Sequence, residues 1–203
     1  MESVREAVAA AIEVGVPILT LFAFSQENWN RPPTEIASLM RLLQRYVGRE
    51  RDELKERGVR VRVHGDLDRL TAGPRRGIAD IERHTRDGTR LMLNLMISYG
   101  GRAEIVRAAR RLAERVRAGT LEPDDIDEAV FAEALYTRGL PDPDLLIRTS
   151  GERRISNFLL WQLAYTELYV TPVLWPDFRR TDFYDAIHDY QTRDRRFGRV
   201  ATG

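Results

Sequence analysis

The sequence predicts an α/β fold in a single domain, with a mostly parallel central sheet surrounded by helices. Strand-like and helix-like hydrophobic patterns alternate along the whole chain, which is typical of a parallel sheet covered by helices. A length of 203 residues suits one domain. The chain shows no internal repeat, low-complexity run or linker that would divide it.

The N-terminal part begins with a helix rather than with a strand. Residues 3–14 carry apolar side chains at helical spacing, and Ser3 with Glu6 would form a capping box at the start. Residues 17–24 read PILTLFAF, an apolar run that predicts a buried strand. A long amphipathic helix follows over residues 34–57, with its threonine at position 34 as the cap.

The middle of the chain repeats the alternation of strand and helix. Residues 59–63 alternate valine with arginine, which predicts a strand. Residues 74–86 have a helical pattern, and 91–97 read LMLNLMI, a second buried strand. An amphipathic helix is predicted over 102–118, and one or two short helices within 123–135.

The C-terminal part contains two short predicted strands and two predicted helices. Residues 144–149 (DLLIRT) and 167–170 (ELYV) are the strands. Residues 157–163 are predicted as a short helix and 181–193 as the final helix.

The composition is that of an ordinary soluble globular protein, with 43% hydrophobic and 31% charged residues. Lys and Arg number 32 against 31 Asp and Glu, so the charge balance argues against nucleic acid as a partner. The absence of cysteine excludes disulfides, thiol catalysis and cysteine-bound metals. No apolar run is long enough to span a membrane. We therefore expect a cytoplasmic protein.

Two polar clusters follow predicted strands, where ligands bind in parallel sheets. The first, residues 25–32, contains Asn28, Trp29 and Arg31. An amide can orient a polar atom and an indole can cover an apolar group, but a turn with one half-buried tryptophan explains the pattern equally well.

The second cluster, residues 148–157, holds three arginines, two serines and a glycine. Guanidinium groups, hydroxyls and backbone amides suit a diphosphate, while the alternative is a solvated loop. Glu167 follows in an apolar run, where a carboxylate is costly unless it is paired or metal-bound. A magnesium ion and a salt bridge to one of the loop arginines explain Glu167 equally well.

Three segments resemble the cis-prenyltransferase family, that is, undecaprenyl diphosphate synthase and its relatives. They are FAFSQENWNRP (Phe22–Pro32), NLMISYGGRAEI (Asn94–Ile105) and the long segment from DLLIRTSGERRISN to VLWPDF (Asp144–Phe178). The resemblance covers essentially the whole chain.

The resemblance implies a transferase of isoprenoid biosynthesis that joins isopentenyl diphosphate to an allylic diphosphate in cis geometry, giving a polyprenyl diphosphate. It implies Mg²⁺ as cofactor, an apolar tunnel for the growing chain, and a homodimer. It also allows peripheral membrane association through the lipid product. Small or apolar Ala23, Val59 and Leu91 would line the tunnel.

Site residues follow from the same resemblance. Asn28 would assist proton removal, and Glu167 would be a metal ligand. The residues near the allylic substrate would be Ser25, Gln26, Glu27, Trp29 and Arg31. Those holding isopentenyl diphosphate would be Arg148, Arg154, Ile155 and Ser156. Arg196-Phe197-Gly198 resembles a motif that reaches across the dimer.

One departure from the family pattern affects the expected activity. The family's first strand leads into an Asp-Gly-Asn-Gly-Arg-Trp phosphate loop, which these 203 residues do not contain. We therefore expect an N-terminally incomplete domain over residues 1–203, with impaired turnover. The alternative is a catalytically inactive partner subunit of a heteromeric enzyme, against which the two retained clusters argue.

Overall fold

The computed structural model describes residues 2–194. Contacts within them define two compact units, one of residues 15–140 and one of residues 2–14 with 141–194. Every strand pair of the described residues is parallel. The predicted α/β class and parallel pairing are confirmed, and the single domain stays a prediction.

The unit of residues 15–140 contains three strands and four helices. The strands are β1 (Ile18–Ser25), β2 (Val59–His64) and β3 (Leu91–Tyr99). The helices are α2 (Pro33–Glu56), α3 (Ala72–His84), α4 (Gly101–Arg117) and α5 (Glu128–Ala134). Short 3₁₀ helices cover Gln26–Asn30, Leu67–Arg69 and Pro123–Asp125.

The sheet of this unit has the order β1-β3-β2, so β3 is its central strand. Eight of the nine residues of β3 are buried, and β1 and β2 flank the strand on both sides. The valines of β2 point inward and its arginines do not, as the alternating sequence predicts.

The second unit contains two strands and two helices. Helix α1 (Glu2–Glu13) packs against α6 (Arg180–Gln191), and β4 (Leu145–Arg148) pairs with β5 (Glu167–Val170). A 3₁₀ helix covers Trp175–Asp177. The alanines of α1 form its buried face, which permits close packing of the helix.

Two predicted helix starts are wrong by one or two residues. Helix α1 already includes Glu2, so Ser3 lies inside it, and the Ser3 hydroxyl donates to the Pro176 carbonyl at 3.0 Å instead of capping. Thr34 lies in the first turn of α2, whose cap position is Pro32. Proline suits a helix start because its fixed φ angle and missing N–H cost nothing there.

The predicted helix over 157–163 is wrong, since the structure forms consecutive turns there. Asn157 and Leu159 have φ angles of 61° and 42°, which a right-handed helix cannot contain. The strand over 17–24 exists, but only Phe24 of β1 is buried. Within the described residues β1 has a strand neighbour on one side only, so it is less covered than β3.

Candidate active site

The carboxyl ends of the three parallel strands meet at one edge of the sheet in the unit of residues 15–140. Ser25 ends β1, His64 ends β2 and Tyr99 ends β3. The first predicted cluster follows Ser25 directly, as the 3₁₀ helix Gln26–Asn30. It therefore lies at the edge where ligands bind in open parallel sheets.

Asn28 stabilises the turn from β1 into this short helix. Its Oδ1 accepts a hydrogen bond from the backbone N–H of Ser25 at 2.9 Å. The amide is only partly buried, so part of it stays accessible for a further hydrogen bond. This bond fixes the orientation of the predicted catalytic side chain.

Trp29 is held by contacts from two strands. Its Nε1–H donates to the Ser98 hydroxyl at 2.9 Å, and its ring meets Phe24 edge-on with centroids 5.1 Å apart. The pairing of β1 with β3 shifts register here, and Ser98 has a φ of 52°. Such bulges re-aim a side chain, and this one places a hydroxyl at the indole N–H.

The other residues of the first cluster are more open. Ser25 and Gln26 are partly buried, and Glu27 is exposed. Arg31 is exposed, and its Nη1 donates to Glu35 in the first turn of α2 at 2.7 Å. The charge of Arg31 is therefore paired with Glu35 at the surface, and a ligand can readily replace that partner.

A polar row centred on buried Asn94 crosses the sheet at this edge. The His64 Nε2 lies 3.1 Å from Asn94 Oδ1, and Asn94 Nδ2 donates to the Thr20 hydroxyl at 3.4 Å. Burial lowers the pKa of His64 below its ordinary 6.5, more than the Asn94 bond raises it. His64 is thus neutral near pH 7.

Glu104 is a buried carboxylate that sequence reasoning missed. It is 1% exposed and lies in the first turn of α4. The Tyr99 hydroxyl donates to its Oε2 at 2.6 Å, and the Tyr136 backbone N–H donates to its Oε1 at 2.7 Å. The sequence spacing could have revealed its burial. Glu104 precedes the buried residues Ala108 and Leu112 at intervals of four, which places all three on one face of the helix.

The second predicted cluster lies in the other unit and converges on one carboxylate. Arg148 and Arg154 both bond to Glu152, each through one guanidinium nitrogen. The side chains are 25% exposed for Arg148 and 66% for Arg154. Burial, and then the charge of Arg154, lower the pKa of Arg148. Two like charges held this close favour an anion between them.

The loop that carries these arginines is tied to the chain after β5. Ser150 N–H donates to the Val173 carbonyl and Gly151 N–H to the Thr171 carbonyl, both at 2.8 Å. Ser156 has a φ of 51°, and Ile155 is exposed. The loop is therefore anchored at its start and presents its later residues at the surface.

Glu167 forms a salt bridge, but not with the arginines predicted for it. Its Oε2 accepts from Arg193 Nη1 at 2.8 Å, and the carboxylate is 32% exposed. Arg193 also bonds to Asp189 of α6 and to the Leu168 carbonyl. Within residues 2–194 no cluster of three or more acidic or histidine side chains forms a metal site.

Comparison with known proteins identifies the family. A family model described as "Putative undecaprenyl diphosphate synthase" matches residues 1–198. The isoprenyl transferase of Heliobacterium mobile is 50% identical over 200 residues, which are 98% of this chain and 77% of the relative. The chain belongs to the cis-prenyltransferases.

Two further comparisons agree with this family. The ditrans,polycis-undecaprenyl-diphosphate synthase of Xanthomonas axonopodis pv. citri, named as specific for (2E,6E)-farnesyl diphosphate, is 50% identical over 196 residues, covering 97% of this chain and 76% of the relative. The crystal structure of lavandulyl diphosphate synthase from Lavandula x intermedia with dimethylallyl diphosphate superposes with a TM-score of 0.94. It is 39% identical, with 97% of this chain and 85% of that chain covered.

The family motifs recognised in the sequence lie in both units of this cis-prenyltransferase. Ser25 to Arg31 belong to the unit of residues 15–140, and Arg148 to Ser156, with Glu167, belong to the other. Arg196-Phe197-Gly198 lies outside the described residues. No helix within residues 2–194 is long and apolar enough to cross a membrane.

Proposed function

We propose that this cis-prenyltransferase condenses isopentenyl diphosphate with an allylic diphosphate to give a polyprenyl diphosphate with cis double bonds. The observation that carries the proposal is the convergence of Arg148 and Arg154 on the Glu152 carboxylate. Two guanidinium groups that meet at one anion position suit a diphosphate, which offers more oxygen acceptors than a carboxylate. The family comparison does not favour the inactive-subunit alternative.

Isopentenyl diphosphate would bind at this arginine pair. Arg148 is half-buried and fixed by its strand, so it would supply the better-defined contact, and Arg154 would close over the diphosphate from the exposed side. The Ser156 hydroxyl and the Ile155 backbone would contribute further polar contacts. Glu152 would give up both arginines when the diphosphate enters.

The allylic substrate would bind at the end of β1. Trp29 would cover its apolar part, because the indole N–H is already satisfied by Ser98 and the rest of the side chain is apolar. Arg31 would exchange its exposed partner for substrate diphosphate. Ser25, Gln26 and Glu27 would surround the same position.

The reaction breaks the allylic carbon–oxygen bond, forms a bond from the isopentenyl double bond, and then loses a proton. Arg31 would stabilise the leaving allylic diphosphate, whose charge grows as the carbon–oxygen bond breaks. Arg148 and Arg154 would hold the diphosphate of the isopentenyl unit, which does not leave.

We assign assistance in proton loss to Asn28, whose amide is oriented by the Ser25 N–H. An apolar tunnel would shield the growing chain from water; Val59 and Leu91, two of its predicted lining residues, are paired and buried, whereas Ala23 is exposed.

Glu167 fits Mg²⁺ as a single oxygen ligand. Within residues 2–194 its Oε1 accepts from no protein donor, and its Oε2 is held by Arg193. A magnesium ion is commonly held by one or two carboxylates together with substrate phosphates. When bound, the ion would neutralise diphosphate charge beside Glu167.

We also propose a homodimer that works in the cytoplasm and associates peripherally with membranes through its product. Exposed apolar side chains in the unit of residues 2–14 and 141–194 support an interface between copies, since Tyr165 is 78% and Leu174 is 54% exposed. Light scattering during gel filtration measures the dimer, and vesicle flotation with and without product measures the membrane association.

The experiment that tests the function follows labelled isopentenyl diphosphate into extractable product, with farnesyl diphosphate and Mg²⁺. Farnesyl diphosphate is chosen because the Xanthomonas relative is named for it. Residues 1–203 are assayed beside a version carrying the Asp-Gly-Asn-Gly-Arg-Trp loop ahead of residue 1. Cis product from the longer version alone supports the function and the expected impairment. Cis product from both overturns only the impairment, and no cis product from either contradicts the function.

A further inference from the structure

Trp29 also contacts a residue that neither the motifs nor the family comparison singled out. The Arg69 guanidinium carbon lies 4.9 Å from the centroid of the Trp29 ring, over its face. This is the geometry of a cation–π interaction. Arg69 ends the 3₁₀ helix that follows β2. It therefore reaches the first cluster, which follows β1, from the loop after another strand.

The backbone that presents Arg69 is firmly anchored. Asp66 N–H donates to the Ser98 carbonyl at 3.1 Å, and Leu70 is buried directly after Arg69. Gly65 approaches β3 so closely that a Cβ there would lie 1.9 Å from the Ile97 carbonyl oxygen. The loop therefore projects Arg69 from a fixed base.

The charge of Arg69 is committed to the indole. Within residues 2–194 no carboxylate pairs with Arg69, whereas its neighbour Asp68 lies near Arg75. Arg69 is exposed, and among the contacts within residues 2–194 the one with the Trp29 ring restricts its position. Phe24, Ser98 and Arg69 thus hold the indole from three sides.

The segment that carries Trp29 needs such support. It is a five-residue 3₁₀ helix, and hydrogen bonds in 3₁₀ helices have poorer geometry than those in α-helices. We propose that Arg69 is a positioning residue of the allylic site, which presses the Trp29 indole against Phe24 and Ser98. This inference rests on the proposed function, because that function places the allylic chain against Trp29.

The experiment compares Arg69→Ala, Arg69→Lys and the control Arg76→Ala, which removes an exposed arginine of α3. Calorimetry measures the Kd of farnesyl diphosphate and, separately, of isopentenyl diphosphate. Acrylamide quenching of Trp29 is taken as the difference between each variant and its Trp29→Phe counterpart, because the chain has three tryptophans.

Arg69→Ala is expected to raise the Kd of farnesyl diphosphate about two- to fivefold, which corresponds to an exposed cation–π contact. It is also expected to make Trp29 more accessible to acrylamide and to leave isopentenyl diphosphate binding unchanged. Arg69→Lys keeps the cation and restores both readouts, and Arg76→Ala matches the parent.

Three results would overturn the inference. Unchanged quenching in Arg69→Ala shows that Arg69 does not hold the indole. A raised Kd with unchanged quenching shows that Arg69 acts on the substrate directly. If Trp29→Ala leaves farnesyl diphosphate binding intact, the allylic assignment itself is wrong, and the proposed function loses its support at this site.

Discussion

Replacing Glu104 tests whether a buried carboxylate holds the carboxyl end of β3. Glu104→Ala removes the acceptor for the Tyr99 hydroxyl and the Tyr136 N–H, which lie 2.6 and 2.7 Å away. Each hydrogen bond to a charged group contributes about 1.5–3 kcal/mol. Since the site is 1% exposed, we expect a loss of about 3–5 kcal/mol in the free energy of unfolding.

Glu104→Gln separates the lost charge from the lost volume. Its carbonyl oxygen can accept from the Tyr136 N–H, and its NH₂ group can donate to the Tyr99 hydroxyl, so both contacts remain as hydrogen bonds between neutral groups. We therefore expect a smaller loss of about 1–2 kcal/mol, the difference between charge-assisted and neutral hydrogen bonds. Urea unfolding followed by far-UV circular dichroism measures both variants.

The matched control is Glu114→Gln on the exposed part of the same helix, expected within about 0.5 kcal/mol of the parent. The reasoning fails if Glu104→Ala unfolds at the same urea concentration as Glu114→Gln, because two buried donors would then have lost their acceptor without any cost.

Further predictions concern the two glycines Gly65 and Gly77 and the partly buried His64. Gly65→Ala, with φ at 138° and a Cβ 1.9 Å from the Ile97 oxygen, is expected to cost about 3 kcal/mol or more. Gly77→Ala, whose Cβ would meet only ordinary contacts inside α3, is expected to gain about 0.5–1 kcal/mol; equal melting temperatures for the two variants would contradict the argument. Because burial lowers the pKa of His64 below 6.5, the unfolded chain binds a proton first as the pH falls. The contribution of His64 to the free energy of unfolding is therefore complete above pH 6.5. It falls as the pH drops from 6.5 to the folded-state pKa, by at most about 1.4 kcal/mol per pH unit. Urea unfolding between pH 5 and 7.5 (roughly the range of histidine titration) is expected to show a smaller slope for His64→Gln and the parent slope for the exposed His188→Gln; equal slopes in all three would contradict the assignment.

The sequence predicted the elements whose signals are local. The alternation over residues 59–63 and the apolar run over 91–97 reflect which side chains face the core, and both strands formed as expected. The helix predicted over 157–163 failed because left-handed backbone at Asn157 and Leu159 depends on the tertiary setting of the loop. Apolar spacing carries no information about such angles.

The candidate site was predicted in its residue types more than in its contacts. Trp29 and Ser98 are 69 positions apart, and their bond depends on a bulge that no residue pattern announces. Glu167 was expected to meet a metal or a loop arginine. Its salt bridge is with Arg193 and not with a loop arginine, and the metal contact stays a prediction. Side-chain partners depend on which distant segments the fold brings together. Local spacing in the sequence cannot specify that.

Calorimetry of isopentenyl diphosphate with residues 1–203 tests the central claim, that Arg148 and Arg154 form one diphosphate site, most directly. Arg148→Ala is expected to raise the Kd about ten- to a hundredfold, the value of one charge-assisted contact. Arg154→Ala is expected to raise the Kd about tenfold, because the contact of this more exposed arginine is weakened by solvent. Arg153→Ala removes an exposed charge from the same loop and is expected to bind like the parent. Equal weakening by all three variants would reveal only nonspecific charge attraction, and parent-like binding by Arg148→Ala and Arg154→Ala would place the diphosphate elsewhere.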